Sequence, residues 1–470
     1  MSRKLILDLD TGIDDALAIA YALGSPEAEL IGITATYGNV LMEDSVRNSL
    51  AVLDILGASS VPVHPGLPHS STTEDFSVQE ISAFIHGRNG VGEVDIAPSP
   101  RSAEATGAVD FIIEASHRYG DELVYVPTGP LTNLAAALEK DPGLAGRLRV
   151  VLMGGALSVS GNVSPWAEAN ISQDPDAADA VLRSGIDATM IGLDVTLQTL
   201  LTREQTRRWR ELGTPAGAFL ADMTDYYIKA YETTAPGLGG CGLHDPLAVG
   251  VAIDPTLVTA FPVNLQVDVE GPTRGRTIGD VTRLNDPRKT SRAALDVDVD
   301  RFLEEFMSRI TSRLRALYPN TVIAGTTRNE SKFDTLKALG CDEVILEEAQ
   351  NVIHSDEKFD CVLDLIGPSA IRYSFAVLKR GGIVCNTGLL GGQWTLENFD
   401  PIIDTCGGYL TGYHSGDATA DLLQETITII EDHAIDVTPH KVLPLKEAAR
   451  AHTLMESGAG YGKYVLLPEH

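Results

Sequence analysis

A turn crowded with carboxylates, near the start of the chain, most constrains what the chain can fold into. Residues 4–9 are an apolar run typical of a buried strand, and residues 16–23 favour a helix. Four carboxylates lie in or beside the turn between them: Asp8, Asp10, Asp14 and Asp15. Like charges this close repel one another strongly in a partly buried site, so they require a cation or a shared proton. A solvated acidic loop is the alternative, but such a loop would not need the apolar strand.

The chemistry of these side chains indicates which cation would fit. Oxygen ligands without a nearby Cys or His favour calcium or magnesium over zinc, and Gly12 lets the backbone turn tightly around an ion. An EF-hand loop begins in a similar way, but it needs a bidentate Glu at its twelfth position, where this chain has Ile19. We therefore expect a hard divalent metal in a strand-to-helix turn of another kind.

The composition limits the binding partners and the cellular compartment that we expect for this chain. The 470 residues are enough for two or three domains, and 36 Lys and Arg against 65 Asp and Glu give a net charge of −29. This acidity argues against nucleic acid or an anionic membrane as the partner, because phosphate binding relies on Lys and Arg. The scattered cysteines lack zinc-type spacing, which is typical of reduced thiols in the cytoplasm. No apolar run reaches the length of a membrane span, and Asp8 and Asp10 interrupt the signal-like N-terminus.

Alternating strands and helices predict an α/β fold, with an open, mainly parallel sheet and helices on both faces. The candidate strands are residues 4–9, 30–36, 123–126, 149–153 and 188–193. A polar segment, in most cases rich in glycine, follows each of them. Because ligands of open α/β sheets bind beyond the carboxyl ends of the strands, we expect these segments to converge on the aspartate turn.

Two later segments add polar groups to this expected site. Asn162, Glu168 and Asn170 lie in one aperiodic stretch and suit bidentate hydrogen bonding to vicinal hydroxyls. His244 and Asp245 precede an apolar helix and could supply a proton donor and one more metal ligand. Each signal is weak alone, since a single loop His or an Asn/Gly turn is usually structural. Their order together with the aspartate turn is far more specific.

Residues 1 to about 316 resemble the inosine-uridine preferring nucleoside hydrolase family. The shared motifs, in family order, are DxDxGxDDA, TYGN, PTGPLTN, MGGA…GNVSPxAExN and HDPLAV. The resemblance implies the nucleoside hydrolase fold, a nucleoside substrate and a homo-oligomer, either dimer or tetramer. It also implies hydrolysis of the N-glycosidic bond of ribonucleosides, which releases ribose and a free base. Ala169 departs from the family, which often has an aromatic residue there, so the base preference stays open.

The same resemblance implies a role for each motif residue. A calcium ion would be held by Asp10, Asp15, Asp245 and the carbonyl oxygen of Thr128. The ribose hydroxyls would be bound by Asp14, Asn39, Asn162, Glu168 and Asn170. His86 matches a position near the nucleobase, and His244 would be the acid that protonates the leaving group. Asp8 would support the metal, either directly or through a ligand.

The expected chemistry agrees with these roles. Cleavage of an N-ribosyl bond passes through an oxocarbenium-like state, so carboxylates near the sugar stabilise the developing positive charge. A calcium-bound water, deprotonated by Asp10, would be the nucleophile. Tyr226, Tyr227 and Tyr231 are spaced along one predicted helix and could reach the base, although such a stripe is more often core packing.

A haloacid-dehalogenase-like phosphatase is the main rival hypothesis. The opening Asp8-Leu-Asp10-Thr11 resembles the start of that family, with Asp8 as nucleophile and Asp10 as acid. This interpretation leaves the TYGN, GNVSP and HDPL segments unexplained. The nucleoside hydrolase hypothesis accounts for all of them.

Residues 321–470 resemble the C-terminal part of a zinc-type alcohol dehydrogenase or quinone oxidoreductase. They begin at the second strand of its nucleotide-binding half, and Thr326, Thr327 and Arg328 would face the 2′-phosphate of NADPH. No glycine-rich turn precedes Thr321, so the pyrophosphate would lack its helix N-terminus. We predict an incomplete Rossmann-like segment without oxidoreductase activity, although a binding or regulatory role stays open.

The missing first strand has a topological consequence. In a dinucleotide-binding sheet ordered 3-2-1-4-5-6, strand 1 is central, so its loss separates strands 2 and 3 from strands 4 to 6. Either the gap closes by new pairing or backbone groups go unsatisfied. The predicted strands 441–445 and 463–467 would also lack their usual partners.

Overall fold

The computed structural model describes residues 2–317 and, after them, residues 322–338, 341–348, 352–353, 355, 357–388, 390, 392–412, 423, 427, 439–456 and 463–468. The chain divides into two compact units, residues 1–320 and residues 321–470. The start predicted for the second segment, Thr321, lies outside the described residues. No described helix has both the length and the apolar character needed to cross a bilayer.

The first unit is built on a mixed sheet. Its strands are β1 Arg3–Leu9, β2 Ala28–Ala35, β3 Val63–His64, β4 Leu123–Pro127, β5 Arg149–Met153, β6 Asp187–Ile191, β7 Leu200–Leu201, β8 Cys241–Gly242, β9 Val258–Pro262, β10 Leu265–Val267, β11 Thr277–Gly279 and β12 Ser291–Val297. The main sheet has the order β3-β2-β1-β4-β5-β6-β12-β9. Its neighbours are parallel except β9, which runs antiparallel to β12. The α/β fold class predicted from the sequence is confirmed.

Helices cover both faces of this sheet. They are α1 Ile13–Gly24, α2 Met42–Ile55, α3 Glu80–His86, α4 Ala108–Tyr119, α5 Thr132–Lys140, α6 Ala169–Gln173, α7 Pro175–Arg183, α8 Leu193–Thr196, α9 Arg203–Glu211, α10 Pro215–Thr234, α11 His244–Ile253 and α12 Val299–Ala316. Leu5 and Leu7 of β1 pack in one core cluster with α1, α11 and α12, whereas Ile6 packs in a second with α4, α5 and α7. Strand β1 is therefore apolar on both faces, as a central parallel strand must be.

The predicted strands match the structure within two residues at each end, with one difference in kind. The strand predicted at 188–193 ends at Ile191, and Leu193 begins α8. Gly192 is the N-cap of that helix in an extended conformation, so the apolar run continues through a change of element. In a short apolar run, the spacing of the apolar residues alone does not reveal a change from strand to helix.

The order of the strands indicates where in the sheet a ligand site lies. The chain leaves β1 towards β2 and β3 on one side, and later fills β4, β5 and β6 on the other. The carboxyl ends of β1 and β4 therefore flank the point where the strand order reverses, which is where open α/β sheets bind ligands. Asp10 follows β1 and Thr128 follows β4 at this point.

The second unit contains short separate sheets. Its strands are β13 Ala324–Thr327, β14 Glu343–Glu348, β15 Val352–Ile353, β16 Phe359–Asp364, β17 Leu378–Asn386, β18 Tyr409–Gly412, β19 Lys441–Pro444 and β20 Tyr464–Leu467. Its helices are α13 Phe333–Ala338, α14 Ile371–Ala376 and α15 Ala448–Glu456. Within the described residues, β13-β14-β15 and β16-β17-β18 are distinct sheets, and β19 pairs in parallel with β20. The gap left by the missing central strand is thus not closed by pairing between β13 and β16. The strands predicted at 441–445 and 463–467, expected to lack their usual partners, pair with each other.

Candidate active site

Three buried carboxylates from two helices come together at the switch point of the sheet. Asp14 and Asp15 lie in the first turn of α1, and Asp245 lies in the first turn of α11. One oxygen atom from each carboxylate lies within 4.8 Å of the other two. In the part of the chain that the structure describes, no other group of Asp, Glu, His or Cys side chains has this metal-binding arrangement.

Hydrogen bonds fix Asp15 and leave Asp14 partly open. The backbone N–H of Gly12 donates to Asp15 Oδ2 at 2.8 Å, and the hydroxyl of Thr128 donates to Asp15 Oδ1 at 2.8 Å. Asp14 Oδ2 accepts a longer bond, 3.3 Å, from the hydroxyl of Tyr227. Asp14 Oδ1 is buried and has no hydrogen-bond partner. A buried acceptor without a donor is costly, so this oxygen is suited to bind a cation or a ligand hydroxyl.

Asp10 lies beside the cluster and is bound by Asn39. The backbone N–H of Asn39 donates to Asp10 Oδ2 at 2.6 Å, and its amide donates to Oδ1 at 3.2 Å. Gly38 makes this approach possible, because a Cβ built there would lie 2.0 Å from Asp10 Oδ2. The TYGN segment thus holds Asp10 at the edge of the carboxylate cluster.

Among the described residues, no Lys or Arg forms an ion pair with the cluster. His86 Nδ1 lies 3.8 Å from Asp14 Oδ1, but burial lowers the pKa of His86 to about 3, so this ring adds no positive charge at pH 7. Burial raises the pKa of Asp14 to about 8, and repulsion from Asp15 adds to this. Burial likewise raises the pKa of Asp10, Asp15 and Asp245 above the usual range of a carboxyl group. A divalent cation would compensate these charges, and the all-oxygen donor set fits calcium or magnesium rather than zinc.

The carbonyl oxygen of Thr128, predicted as a metal ligand, accepts a hydrogen bond from the side-chain amide of Asn170 at 2.7 Å. A carbonyl has a second lone pair, so this bond does not prevent coordination. The same amide also donates to the carbonyl of Met153 at 3.2 Å. Asn170 therefore ties the segment after β4 to the end of β5.

Glu168 caps the N-terminus of α6. Its carboxylate accepts backbone N–H groups from Gly155, Asn170 and Ile171 at 2.9 to 3.1 Å. Asn162 is exposed, and its side-chain oxygen accepts the N–H of Ala169 at 3.0 Å. The structure thus brings the three polar residues of the GNVSPWAEAN block to α6 and the ends of β4 and β5.

Two buried histidines lie near the cluster. His244 Nε2 is 2.7 Å from the hydroxyl of Tyr231, and its Nδ1 is 2.8 Å from the hydroxyl of Thr196. Burial lowers the pKa of His244 to about 4, so the ring is neutral at pH 7. His86 Nδ1 accepts the backbone N–H of Ile13 at 3.2 Å, and burial lowers the pKa of His86 to about 3. A neutral His86 with an accepting Nδ1 carries its proton on Nε2.

Sequence reasoning gave too little weight to two tyrosines and did not predict the partner of one threonine. Tyr227 and Tyr231 are four residues apart on α10 and their rings pack at 4.9 Å, so they are core packing and site contacts at once. Thr196, on α8, lies in the polar segment after the strand predicted at 188–193, which is expected to converge on the site, but its contact with His244 spans 48 residues and has no local signal. Tyr226, the third tyrosine of the stripe, donates instead to the carbonyl of Phe84 at 3.3 Å.

Asp8 lies on β1, directly before the aspartate turn, and is held by hydrogen bonds from two side chains. It is fully buried, and its Oδ1 accepts hydrogen bonds from Thr34 at 2.7 Å and Asn133 at 2.9 Å. Burial raises its pKa to about 6. Its other oxygen, Oδ2, is buried and has no hydrogen-bond partner, as is the case for Asp14 Oδ1.

The second unit matches a different class of protein from the first. The family described as zinc-binding dehydrogenase matches residues 339–466. The similarity agrees with the fusion predicted from the sequence. All five cysteines are free, and among the described residues none joins a cluster with metal-binding spacing.

The first unit matches the family described as inosine-uridine preferring nucleoside hydrolase over residues 5–304. The structure of a purine-preferring ribonucleoside hydrolase from Gardnerella vaginalis is 68% identical, with a TM-score of 0.66, and covers 67% of this chain and 100% of its own. The inosine-uridine preferring nucleoside hydrolase of Leishmania major is 38% identical over 64% of this chain and 95% of its own length. Uridine nucleosidase 1 of Arabidopsis thaliana is 37% identical over 59% and 82%. With the site geometry described above, these matches show that the chain belongs to the inosine-uridine preferring nucleoside hydrolase family.

Proposed function

We propose that this ribonucleoside hydrolase works with a calcium ion and prefers purine nucleosides. The observation that carries the proposal is the buried group of Asp14, Asp15 and Asp245 at the switch point, next to Asp10. Calcium accepts six to eight oxygen ligands in flexible geometry, which suits carboxylates and a carbonyl contributed by three separate segments of the chain. The ligands would be Asp10, Asp15, Asp245 and the carbonyl oxygen of Thr128.

When bound, the cation would neutralise the cluster and lower the pKa of a water molecule beside it. Asp10 would take the proton of the attacking water, and its two bonds from Asn39 hold the carboxylate in place for this role. The open Oδ1 of Asp14 is suited to accept a ribose hydroxyl, because that oxygen otherwise stays unpaired in a buried site. Asn39, Asn162, Glu168 and Asn170 would complete the ribose site.

We propose that the two histidines contact the leaving base. We assign proton donation to His244 together with Tyr231, because their 2.7 Å contact supplies a proton path into the site. His86 would donate a hydrogen bond to the base from Nε2, because its Nδ1 is already engaged by Ile13. Negative charge from the aspartates would stabilise the positive charge that develops on the ribose in the transition state.

Preference for purines is supported by the 68% identity to the purine-preferring enzyme of Gardnerella vaginalis, which exceeds that to the uridine nucleosidase. We further propose that the enzyme acts in the cytoplasm and forms a homo-oligomer. Five free thiols are in keeping with a reducing compartment. Light scattering on the purified chain would give the oligomeric state.

Ribose release from inosine, adenosine, uridine and cytidine tests the proposal. We expect inosine and adenosine to be cleaved faster than the pyrimidine nucleosides. A chelator should abolish turnover, and added calcium should restore it more fully than magnesium. Full activity after chelation would refute the metal assignment, whereas faster cleavage of uridine would refute only the base preference.

A further inference from the structure

The loop that follows His86 is a self-bonded unit. The backbone N–H of Gly92 donates to the carbonyl of His86 at 2.8 Å, and that of Gly90 donates to Gly87 at 3.1 Å. The Asn89 side chain accepts N–H groups from Val91 and Glu93 at 3.0 Å and donates to the carbonyl of Val94 at 3.1 Å. These internal bonds define the conformation of residues 87–94, and the bond from Gly92 ties His86 to them.

One buried side chain joins this loop to the aspartate turn. Asn48, on α2, is 3% exposed, and its amide nitrogen lies 2.9 Å from the carbonyl of Asn89 and 3.2 Å from the carbonyl of Thr11. Thr11 follows Asp10 directly. A primary amide has two N–H donors and can therefore serve both carbonyls at once, which an aspartate or a leucine cannot do.

Asn48 is packed closely against the loop. A Cβ on Gly90 would lie 2.7 Å from the amide nitrogen of Asn48, and Gly90 has a φ of +81°. Val91 is also buried in the main core, but apolar contact carries no directional preference. Direction comes from hydrogen bonds. Among the described residues, those that reach residues 86–94 from outside α3 and this loop are the bond from Asn48 and the 3.2 Å bond from Ile13 to His86. His86 Nδ1 also lies 3.8 Å from Asp14 Oδ1, and the His86 ring lies 5.2 Å from the ring of Tyr227.

We propose that Asn48 is a positioning residue that holds His86 at a fixed position relative to the aspartate turn, and so sets the contact between His86 and the nucleobase. The inference rests on the proposed function, in which His86 faces the base. When Asn48 is replaced, we expect the loop of residues 87–94 to shift while the aspartate turn stays in place. Thr11 is held independently, since its hydroxyl contacts Ser45 at 3.1 Å and Ser49 at 2.7 Å.

Asn48→Leu keeps the size of the side chain and removes both donors. We expect kcat/KM for inosine to fall about tenfold, the effect of one lost hydrogen bond to a positioned group. Cleavage of p-nitrophenyl riboside, whose leaving group needs no help from His86, should change less than about twofold, and the calcium needed for half-maximal activity should not change. Should Asn48→Leu fail to fold, Asn48→Ala provides the same comparison in a smaller side chain.

The double variant with His86→Ala separates positioning from structure. If Asn48 acts through His86, adding Asn48→Leu to His86→Ala will cause no further loss on inosine. Independent, multiplying losses would overturn the inference, as would equal losses on both substrates. A silent His86→Ala would also overturn it and would remove the base contact, while inosine hydrolysis by the parent would still uphold the proposed function.

Ser49→Ala is the matched control. Ser49 lies beside Asn48 on α2 and contacts Thr11 through its hydroxyl, and it is buried like Asn48. We expect this variant to lower the melting temperature without changing the ratio of inosine to p-nitrophenyl riboside cleavage. A changed ratio in Ser49→Ala would assign the effect to the turn and overturn the role of the loop.

Discussion

Thr128→Val isolates a single hydrogen bond to a proposed metal ligand. The hydroxyl of Thr128 donates to Asp15 Oδ1 at 2.8 Å and is buried, so water cannot replace it. Valine has nearly the same shape and keeps both the carbonyl oxygen and the backbone N–H that donates to Asp8 at 2.9 Å. The hydroxyl also lies 3.4 Å from the carbonyl oxygen of Asp8, but its single proton serves the closer Asp15 carboxylate. The change therefore removes one orienting bond to Asp15 and no ligand atom.

The expected magnitude follows from that bond. A buried hydrogen bond to a charged group contributes about 1.5–3 kcal/mol, and loss of a group that orients a metal ligand typically weakens affinity about 10- to 100-fold. Activity measured against free calcium should therefore show half-saturation shifted upward by that factor. At saturating calcium, kcat should stay within about threefold of the parent, because every proposed reacting group is retained.

Thr224→Val provides the control for this prediction. Its hydroxyl is buried and donates to the carbonyl of Leu220 within α10, not to a carboxylate. This variant should change thermal stability without moving the calcium dependence. An unchanged half-saturation in Thr128→Val would refute the reasoning, and so would a loss of kcat that excess calcium does not restore.

Three further outcomes test the site and the second unit. Asp10→Ala should lose both calcium binding, read by calorimetry, and turnover, because one carboxylate serves as ligand and base. His244→Ala should slow inosine cleavage about 10²–10⁴-fold, the usual contribution of general-acid catalysis, and slow p-nitrophenyl riboside far less; equal losses would assign His244 to positioning. Truncation after Leu317 should leave the steady-state rate on inosine nearly unchanged, and calorimetric titration of the full chain with NADPH should show no saturable tight binding.

The central part of the fold could be predicted because its signals are local. Strand β1 reads as an apolar run and the aspartate turn follows directly, so both lie within one window of sequence. The end of β6 could not be placed, because Ile191, Gly192 and Leu193 continue the apolar run while the backbone changes from strand to helix. The pairing of β19 with β20 joins residues more than twenty positions apart, and no local pattern encodes it.

The sequence predicted the motif residues that the structure brings together at the candidate site, but it did not predict the residues that contact and orient them. Asp14, Asp15 and Asp245 are brought together as a group, and Asp10 lies beside them. Tyr231 and Thr196 contact His244 from two separate helices, and only the packing of α8, α10 and α11 brings them there. A tyrosine on a half-apolar helix predicts burial, and burial does not distinguish a core residue from a site residue.

The described residues of the second unit do not form the features with which a dinucleotide-binding fold holds its ligand. In the described residues, β13 and β16 each pair along one edge only, so the central strand and the helix N-terminus that should receive a pyrophosphate have no counterpart between them. The hydroxyl of Thr326, expected beside a 2′-phosphate, instead donates to the carboxylate of Glu347, which would repel a phosphate. Every residue proposed for the chemistry lies between Asp8 and Asp245, within the span that matches the hydrolase family. We therefore expect the hydrolase activity to need no side chain from the second unit, and selection on nucleoside hydrolysis would then not preserve a dinucleotide site there.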